Sequence, residues 1–336
     1  MDRIFGLIIL SFFITGALLV PFIDFLYRLK LQRKKQITRD VFNQRTHFFD
    51  KFNDWKVGTP FGGGLLVIFV VTILTFWAFG LFNPEVKFWE LFVLIFSFMS
   101  FGLLGFYDDL KKIFGVSESK FFGLRFVHKF VIQWIFALII GSVFYFELGY
   151  SFFYIRWFGE VTLGLFFILF CAFVIVSFVN AFNVTDGLDG LSSGLLVICL
   201  IAFLTISRNM LNSFLAIFIA ILLGSVVAFL YFNIYKARIW LGDVGSLSLG
   251  AVLAVTGLLT GKIVPLAFIG GVFVIEIGSS LIQILGKKFL HRKLLPIAPL
   301  HLYFLKIGWE EPKIVMRAWI LGLLFAVFGL FIAFSG

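Results

Sequence analysis

Long apolar runs constrain the fold of this chain more than any other feature of its sequence. Of its 336 residues, 61% are hydrophobic and 14% charged, and the mean hydropathy is +1.07. That composition cannot supply the polar exterior of a soluble domain. A helix that crosses a bilayer needs roughly 20 apolar residues. Ten such runs lie at about 4–27, 61–82, 88–106, 130–148, 161–183, 190–207, 212–233, 247–261, 264–285 and 314–334. The sequence therefore predicts an all-α integral membrane protein with about ten transmembrane helices.

The runs follow one another without an evident repeat, low-complexity linker or soluble domain, so we expect one polytopic membrane domain over 1–336. The run at 247–261 is short for a span. The first run lacks a cleavage site of small residues, which favours a retained helix. Segment 28–60 mixes basic and aromatic residues and is expected on an anionic headgroup surface. The aromatic segment 149–160 suggests an outer interfacial hairpin.

Lys and Arg are distributed unevenly over the connections between the runs. If the first helix enters from outside, connections 28–60, 107–129, 234–246 and 286–317 are internal and carry 23 of the 28 basic residues. Because basic residues accumulate on the cytoplasmic side, both termini are predicted to lie outside. The same asymmetry accounts for the net charge of +10, and we expect no nucleic-acid partner.

Three motifs place aspartates at the edges of the apolar runs. Asp108 and Asp109 follow the third run, Asp186 and Asp189 lie between the fifth and sixth, and Asp243 precedes the eighth. With the orientation above, all five face the cytoplasm. The orientation rests on the basic residues alone, so the common side of the aspartates is an independent observation. Carboxylates beside hydrocarbon are costly and mark a functional site by default. We therefore predict an active site on the cytoplasmic face.

Segment 180–190 carries two of these carboxylates three residues apart. If the sixth helix begins here, Asp186 and Asp189 share one face of its first turn, with glycines leaving that face open to a ligand. Helix capping is the structural alternative. Capping explains one aspartate, but hardly two aspartates accompanied by two asparagines and a threonine.

The other two motifs also suit phosphate and metal chemistry. Adjacent carboxylates such as Asp108 and Asp109 stay ionised cheaply only beside a cation, and magnesium prefers carboxylate oxygen. A charged cluster that merely closes a helix remains the alternative. Asp243 stands between two glycines, where the backbone can approach a metal or phosphate closely. The glycine-rich segment 58–64 lacks the Lys-Ser/Thr ending of a phosphate loop and equally suits close helix packing.

Aspartates for magnesium, basic residues for phosphate and a membrane-embedded scaffold together suit one reaction class. A phosphoryl-linked group would pass from a soluble nucleotide donor to a lipid phosphate at the membrane surface. A transporter would instead place ionisable residues near the bilayer midplane.

The motifs that carry this chemistry resemble, in order, those of the polyprenyl-phosphate N-acetylhexosamine-1-phosphate transferases. The resembling segments are 56–60, 108–111, 180–191, 242–249 and 298–312, so the likeness covers almost the whole chain. Within the family, the segments are most similar to the branch that transfers phospho-N-acetylmuramoyl-pentapeptide. The resemblance implies transfer from a UDP donor to undecaprenyl phosphate, giving lipid I and UMP in cell-wall peptidoglycan synthesis, with magnesium required. It also implies a bacterial inner membrane location, and leaves a homodimer open.

The resemblance carries roles to individual residues. Asp243 would ligate magnesium, Asp108 and Asp109 would activate or orient the lipid phosphate, and Lys56 and Lys129 would hold phosphates. The further implied substrate contacts are Thr59, Asn183, Asp186, Asp189, Asn233, Trp240 and Gln283. The last three fall where the family builds its nucleoside pocket, and a Trp ring can stack on uracil.

A fourth catalytic residue implied by the family is His301. It holds the first position of a family histidine triplet that reads His301-Leu302-Tyr303 here, and Leu305 replaces an expected acidic residue. Phe61-Gly62 also replaces the usual Thr-Met. The altered histidine segment leaves the sugar or peptide of the donor open. A UDP-N-acetylglucosamine donor is one alternative, and a carrier of nucleotide-sugars or lipid phosphates that catalyses nothing is another.

Overall fold

The computed structural model describes residues 2–32, 52, 54–82, 87–114, 126–155, 158–210 and 213–335. Most of the basic and aromatic segment 28–60, expected on the headgroup surface, lies outside these residues. Positions 156–157 of the expected outer hairpin also lie outside them.

Helices make up most of the described structure. In chain order they are α1 (Asp2–Arg28), α2 (Gly63–Phe82), α3 (Phe88–Phe114), α4 (Phe126–Phe146), α5 (Phe167–Thr185), α6 (Leu191–Asn209), α7 (Ser213–Asn233), α8 (Gly242–Leu259), α9 (Ile263–Ile269), α10 (Gly271–Phe289), α11 (Leu300–Lys306) and α12 (Glu311–Phe334). Strands β1 (Phe152–Ile155) and β2 (Gly159–Thr162) pair antiparallel, so the expected hairpin is present. The all-α prediction is confirmed, with this small hairpin added.

The spans agree in number with the apolar runs. Among the described residues, nine helices are long and apolar enough to cross a membrane, and α9 with α10 forms a tenth, broken candidate. These two helices are bent by 79°, so the run expected as one helix at 264–285 is interrupted. A Cβ on Gly270 at the break would lie 2.5 Å from the Phe178 ring, which leaves room for glycine alone.

Two helix boundaries differ from those expected, and both differences move aspartates into helices. Helix α3 continues to Phe114 and contains Asp108 and Asp109, which were expected after the span. Helix α8 begins at Gly242, so Asp243 lies in its first turn and not in a connecting loop. Hydropathy alone hides both extensions, because a helix continues through polar residues wherever its backbone bonds are satisfied.

Helices α7 and α8 lie at the centre of the bundle. In their most apolar stretches 83% and 89% of the residues are buried, against 28% in α1, α4 and α12. A helix that is apolar all round can be buried on every side. Helix α8 packs against α2, α3 and α5. Its many small residues allow this, since they let helix backbones approach closely.

The closest of these approaches involve glycines of α2 and α3. A Cβ on Gly105 would lie 2.1 Å from the carbonyl oxygen of Asp243, and one on Gly64 would lie 2.2 Å from the Cα of Gly245. Neither neighbour is the end of a flexible side chain. The close-packing alternative for the glycine-rich segment 58–64 is therefore confirmed at Gly64.

We predict that Gly105→Ala destabilises the fold by about 1–3 kcal/mol, the usual cost of overpacking, because the added methyl group meets backbone that cannot yield without separating α3 from α8. Thermal unfolding in detergent measures the effect. Gly80→Ala is the matched control, since a Cβ there has no neighbour within 4 Å. Alanine also favours a helix interior over glycine, so the control should unfold no earlier than the unmodified protein. Equal unfolding temperatures for both variants would contradict the prediction.

Candidate active site

The first group of charged side chains gathers where α3, α4 and α8 meet. We call Asp108, Asp109, Lys112, Lys129 and Asp243 the aspartate–lysine cluster. The Lys112 ammonium lies 3.2 Å from Asp108 Oδ2, 3.6 Å from Asp109 Oδ1 and 2.9 Å from Asp243 Oδ2. The Lys129 ammonium lies 3.1 Å from Asp108 Oδ2 and also contacts Asp243 Oδ2. Two of the three aspartate motifs therefore share the same lysine side chains.

Helix geometry supplies part of the cluster, and helix packing supplies the rest. Lys112 is three and four residues after the α3 aspartates, so its side chain returns to them along one helix face. Asp109 also links α3 to α8, because its Oδ2 accepts the backbone N–H of Val244, in the first turn of α8, at 3.1 Å. A carboxylate there is favoured by the helix dipole. Asp109 thus has a structural role beside any catalytic one.

The charges within this cluster nearly compensate one another. Three carboxylates face two ammonium groups, and Asp108 and Asp109 are only 3% and 5% exposed. Asp243 is more accessible, with 18% of its side chain exposed. Buried ions of this kind persist only when they are paired and hydrogen-bonded. Of the carboxylates in the cluster, Asp243 is therefore the most open to a ligand.

Magnesium agrees with this cluster in the chemistry of its donors. Hard carboxylate oxygens are the ligands that the ion prefers, and it keeps several waters or phosphate oxygens besides. In the described part of the chain, no group of three or more His, Cys, Asp or Glu side chains is arranged to hold a metal ion. Two ammonium groups contact Asp243 instead. The assignment of Asp243 as a magnesium ligand stays a prediction.

A second charged group surrounds Lys56, which is 1% exposed. We call Lys56, Asp189 and Glu311 the Lys56 cluster. The Lys56 ammonium lies 2.7 Å from Glu311 Oε1 and 3.2 Å from Asp189 Oδ1. Glu311 Oε1 also accepts the Asp189 backbone N–H at 2.7 Å, and Asp189 Oδ2 accepts the Ala237 N–H at 2.9 Å. The predicted role of Lys56 as a phosphate ligand is untested, and here its ammonium is bonded to two carboxylates.

Trp240 lies against the Lys56 cluster. Its ring centre is 5.2 Å from the Lys56 ammonium, within cation–π range. The backbone N–H of Trp240 donates to the Pro60 carbonyl oxygen at 3.0 Å. The Trp240 carbonyl oxygen accepts the backbone N–H groups of Gly62 and Gly63 at 3.1 and 2.9 Å. Thr59 is partly exposed in the same segment, one residue before Pro60. The segment that leads into α2 therefore holds the backbone of Trp240 in place.

The acidic turn, residues 186–190, contributes Asp189 to the Lys56 cluster, and the charge of Asp243 acts on its Asp186. Asp186 ends α5, and α6 begins only at Leu191, so the expectation that Asp186 and Asp189 share the first turn of a helix is wrong. Gly190 interrupts the helix with a φ of 76°. Burial raises the pKa of Asp186 to about 7; the Ser192 hydroxyl opposes the rise, the charge of Asp243 adds to it, and Lys56 opposes it. A carboxyl group with that pKa is half protonated near neutral pH.

Three amide side chains that were predicted to contact the substrate are hydrogen-bonded to the protein itself. Asn233 Oδ1 accepts the Gly190 N–H at 3.1 Å and the Ser193 hydroxyl at 2.7 Å, and its amide donates to Ile239 O. Asn183 donates to the Ser246 hydroxyl at 2.8 Å. Gln283 accepts the N–H groups of the adjacent residues 294 and 295. Of these amides Asn233 is bonded to the acidic turn itself, and the substrate contacts of all three stay predictions.

His301 approaches the acidic turn from α11. It is 2% exposed, and its Nδ1 lies 3.0 Å from Glu276 Oε2. A Cβ on Gly187 would lie 2.6 Å from His301 Nε2. The two replaced positions beside it, Leu302 and Leu305, are buried in the apolar core at 7% and 8% exposure. Their side chains pack against protein, so Tyr303 is the altered residue that remains partly exposed.

Three residues that contact the predicted site residues were not predicted from the sequence: Lys112, Glu276 and Glu311. Lys112 was visible next to the Asp pair but was given no role. Glu276 had a usable signal, because it is an acidic residue inside an apolar run. Glu311 lies in the resembling segment 298–312, but the sequence does not show that it meets Lys56, 255 positions earlier.

Comparison with known proteins identifies the family of this chain. The sequence model described as Glycosyl transferase family 4 matches residues 91–261. A phospho-N-acetylmuramoyl-pentapeptide-transferase of Bacillus pumilus is 36% identical over 329 residues, 97% of this chain and 96% of the relative. Relatives with the same name in Borrelia turicatae and Leuconostoc citreum are also 36% identical, covering 95% and 82% of this chain and 92% and 85% of the relatives. The chain is therefore a multi-pass membrane protein that belongs to glycosyl transferase family 4, among the phospho-N-acetylmuramoyl-pentapeptide-transferases.

Proposed function

We propose that the chain transfers phospho-N-acetylmuramoyl-pentapeptide from its UDP-linked donor to undecaprenyl phosphate, releasing UMP and forming lipid I. The observation that carries the proposal is the aspartate–lysine cluster, which brings residues of three membrane-spanning helices together at one end of the bundle. Full-length relatives at 36% identity carry the name of this activity.

The reaction exchanges one diphosphate (phosphoanhydride) link for another. An oxygen of the lipid phosphate attacks the sugar-linked phosphorus of the donor. The bond from that phosphorus to the oxygen bridging it to UMP breaks, and UMP leaves with the electron pair. Charge on the transferring group is spread over its oxygens, so catalysis depends on positioning and electrostatic stabilisation. Lys112 and Lys129 supply two ammonium groups for that charge.

Within the cluster we assign different tasks to the aspartates. Asp243 would hold magnesium, which when bound supplies positive charge to the diphosphate of the donor. Asp109 supports the first turn of α8 through Val244. Asp108 then orients the lipid phosphate or accepts its proton. A two-step route through an aspartyl intermediate is the alternative, and trapping a phospho-sugar adduct with donor alone distinguishes the two.

The nucleoside of the donor is proposed to lie at Trp240, beside the Lys56 cluster. A half-buried Trp ring offers a face on which uracil can stack. Glu311 Oε2 is buried and accepts no hydrogen bond within the described residues, which suits a nearby group that donates an N–H. The diphosphate of the donor is proposed to lie along the neighbouring acidic turn, since Asp189 belongs to the Lys56 cluster and the charge of Asp243 acts on Asp186.

The site is proposed to face the cytoplasm, where a soluble UDP donor is available. The support is the 23 basic residues on the predicted inner connections, against 5 on the outer ones. Release of UMP distinguishes this enzyme from a carrier. Assays of UMP release with the muramoyl donor and with UDP-N-acetylglucosamine, each supplied alone, identify the sugar that the enzyme accepts.

We predict that Asp243→Asn lowers magnesium-dependent UMP release more than about a hundredfold, the scale for removing one well-placed electrostatic group. The amide keeps the side-chain volume but removes the charge. UMP is measured with undecaprenyl phosphate, magnesium and the muramoyl donor in detergent. Asp24→Asn makes the same chemical change at an exposed position of α1 and should leave the rate unchanged. Magnesium-dependent turnover that survives in Asp243→Asn would remove Asp243 from the site.

We also predict that Trp240→Ala weakens UDP binding by about 1–3 kcal/mol, as loss of base stacking does, while Trp240→Phe keeps most of the affinity. Titration of UDP against the purified variants measures this. Trp77→Ala is the control, because Trp77 is 48% exposed on α2. Equal affinity in all the variants would show that the Trp240 ring contacts protein or lipid instead.

A further inference from the structure

Helix α10 carries a buried carboxylate that the proposed chemistry does not yet use. Glu276 is 5% exposed and is the only acidic residue of α10. An ionised carboxylate is expensive to bury unless it is hydrogen-bonded. Glu276 Oε2 lies 3.0 Å from His301 Nδ1 and 3.4 Å from the His301 backbone nitrogen. Both contacts join Glu276 to His301, so the carboxylate is positioned to hold the backbone and the ring of that residue.

A second polar residue of α10 fixes the backbone beside this pair. Ser279 Oγ accepts the Leu300 N–H at 3.1 Å and donates to the Glu276 carbonyl at 2.7 Å. The first two residues of α11 are therefore bonded to one face of α10. With its backbone held there, His301 has little freedom except rotation of its ring.

The Glu276 contact removes that remaining freedom. An ionised carboxylate only accepts hydrogen bonds, so it selects the imidazole tautomer with a proton on Nδ1 and a lone pair on Nε2. The Nε2 edge abuts Gly187, where a Cβ would lie 2.6 Å from Nε2 and 3.2 Å from Cε1. Lys56 donates to the carbonyl of the same Gly187 at 3.3 Å. The ring edge is thus aimed at the acidic turn between the two charged clusters.

We propose that Glu276 is a positioning residue for His301: it fixes the tautomer and the direction in which Nε2 faces the acidic turn. The inference rests on the proposed function, in which the donor diphosphate lies along that turn. Glu276 itself touches neither the acidic turn nor the nucleoside region in the contacts described above. Its effect on catalysis should therefore pass through the imidazole.

The test is a double-mutant cycle of Glu276→Gln and His301→Ala, measured as UMP release with the muramoyl donor. Glutamine keeps the volume and loses the charge. We expect Glu276→Gln to lower kcat about 10–100-fold, the scale for losing the outer partner of a functional histidine, with KM for the donor little changed. In the His301→Ala background the same change should cause no further loss, because coupled residues are non-additive. Glu276→Asp, which keeps the charge, should recover part of the rate.

Two further measurements separate positioning from folding. Glu160→Gln, at an exposed position of β2, is the matched control and should leave kcat unchanged. Thermal unfolding of every variant shows whether stability follows the rate. If Glu276→Gln lowers kcat by the same factor with and without His301, the proposal is overturned, because the carboxylate then acts independently. A loss that tracks unfolding temperature, without rescue by aspartate, overturns it as well.

A measurement that does not depend on turnover tests the role of Glu276 separately from the proposed function. Nitrogen NMR of ¹⁵N-histidine-labelled protein reports the tautomer, and the His301→Ala spectrum identifies the His301 signals. We expect an Nδ1–H tautomer that is altered in Glu276→Gln. An unmodified protein that shows this tautomer but releases no UMP contradicts the proposed function alone. An unaltered His301 signal in Glu276→Gln contradicts the positioning role whatever the activity.

Discussion

The contact between α3 and α8 is the interaction on which the rest of the site depends. Gly105 lets the backbone of α3 meet the carbonyl of Asp243, which a side chain of any size would prevent. Asp109 then bonds the Val244 N–H across the same junction. Because the two helices touch here, carboxylates from distant parts of the chain share the ammonium of Lys112. Separating the helices would take Asp243 away from Lys112 and the Val244 N–H away from Asp109, and buried charges that lose a partner are costly.

Charge compensation links the remaining elements into one arrangement. Lys56 joins the segment before α2 to the acidic turn and to α12 through Asp189 and Glu311. Glu276 joins α10 to α11 through His301. Both links end at the acidic turn, since Lys56 and His301 contact Gly187 from different elements. A mobile nucleotide diphosphate would therefore meet a wall whose polar groups already have defined directions, which reduces the cost of ordering them.

Family membership and geometry support the proposed activity in different ways. Relatives that align along nearly the whole chain connect it to one named transferase. The geometry explains how such a transfer is possible in this chain, because two ammonium groups lie among three carboxylates in the aspartate–lysine cluster. A partly exposed Trp ring lies beside the Lys56 cluster. The geometry also bears on the altered histidine segment. Burial of Leu302 and Leu305 in the core means that these replacements change packing, while His301 keeps its polar partner.

Much of the fold and part of the site were predictable from the sequence. The lengths of the apolar runs determined the number of spans, because a bilayer demands a minimum helix length and full backbone bonding. The aspartates at the edges of those runs also predicted a candidate site, since carboxylates are costly there without a function, and the structure places Asp108, Asp109 and Asp243 in one cluster. The sequence could not show that α9 and α10 bend at Gly270, that Gly190 keeps Asp186 and Asp189 off a common helix turn, or that Glu311 meets Lys56. Those outcomes depend on pairings between residues far apart in the chain. Only the packing of the helices decides which buried charge finds which partner.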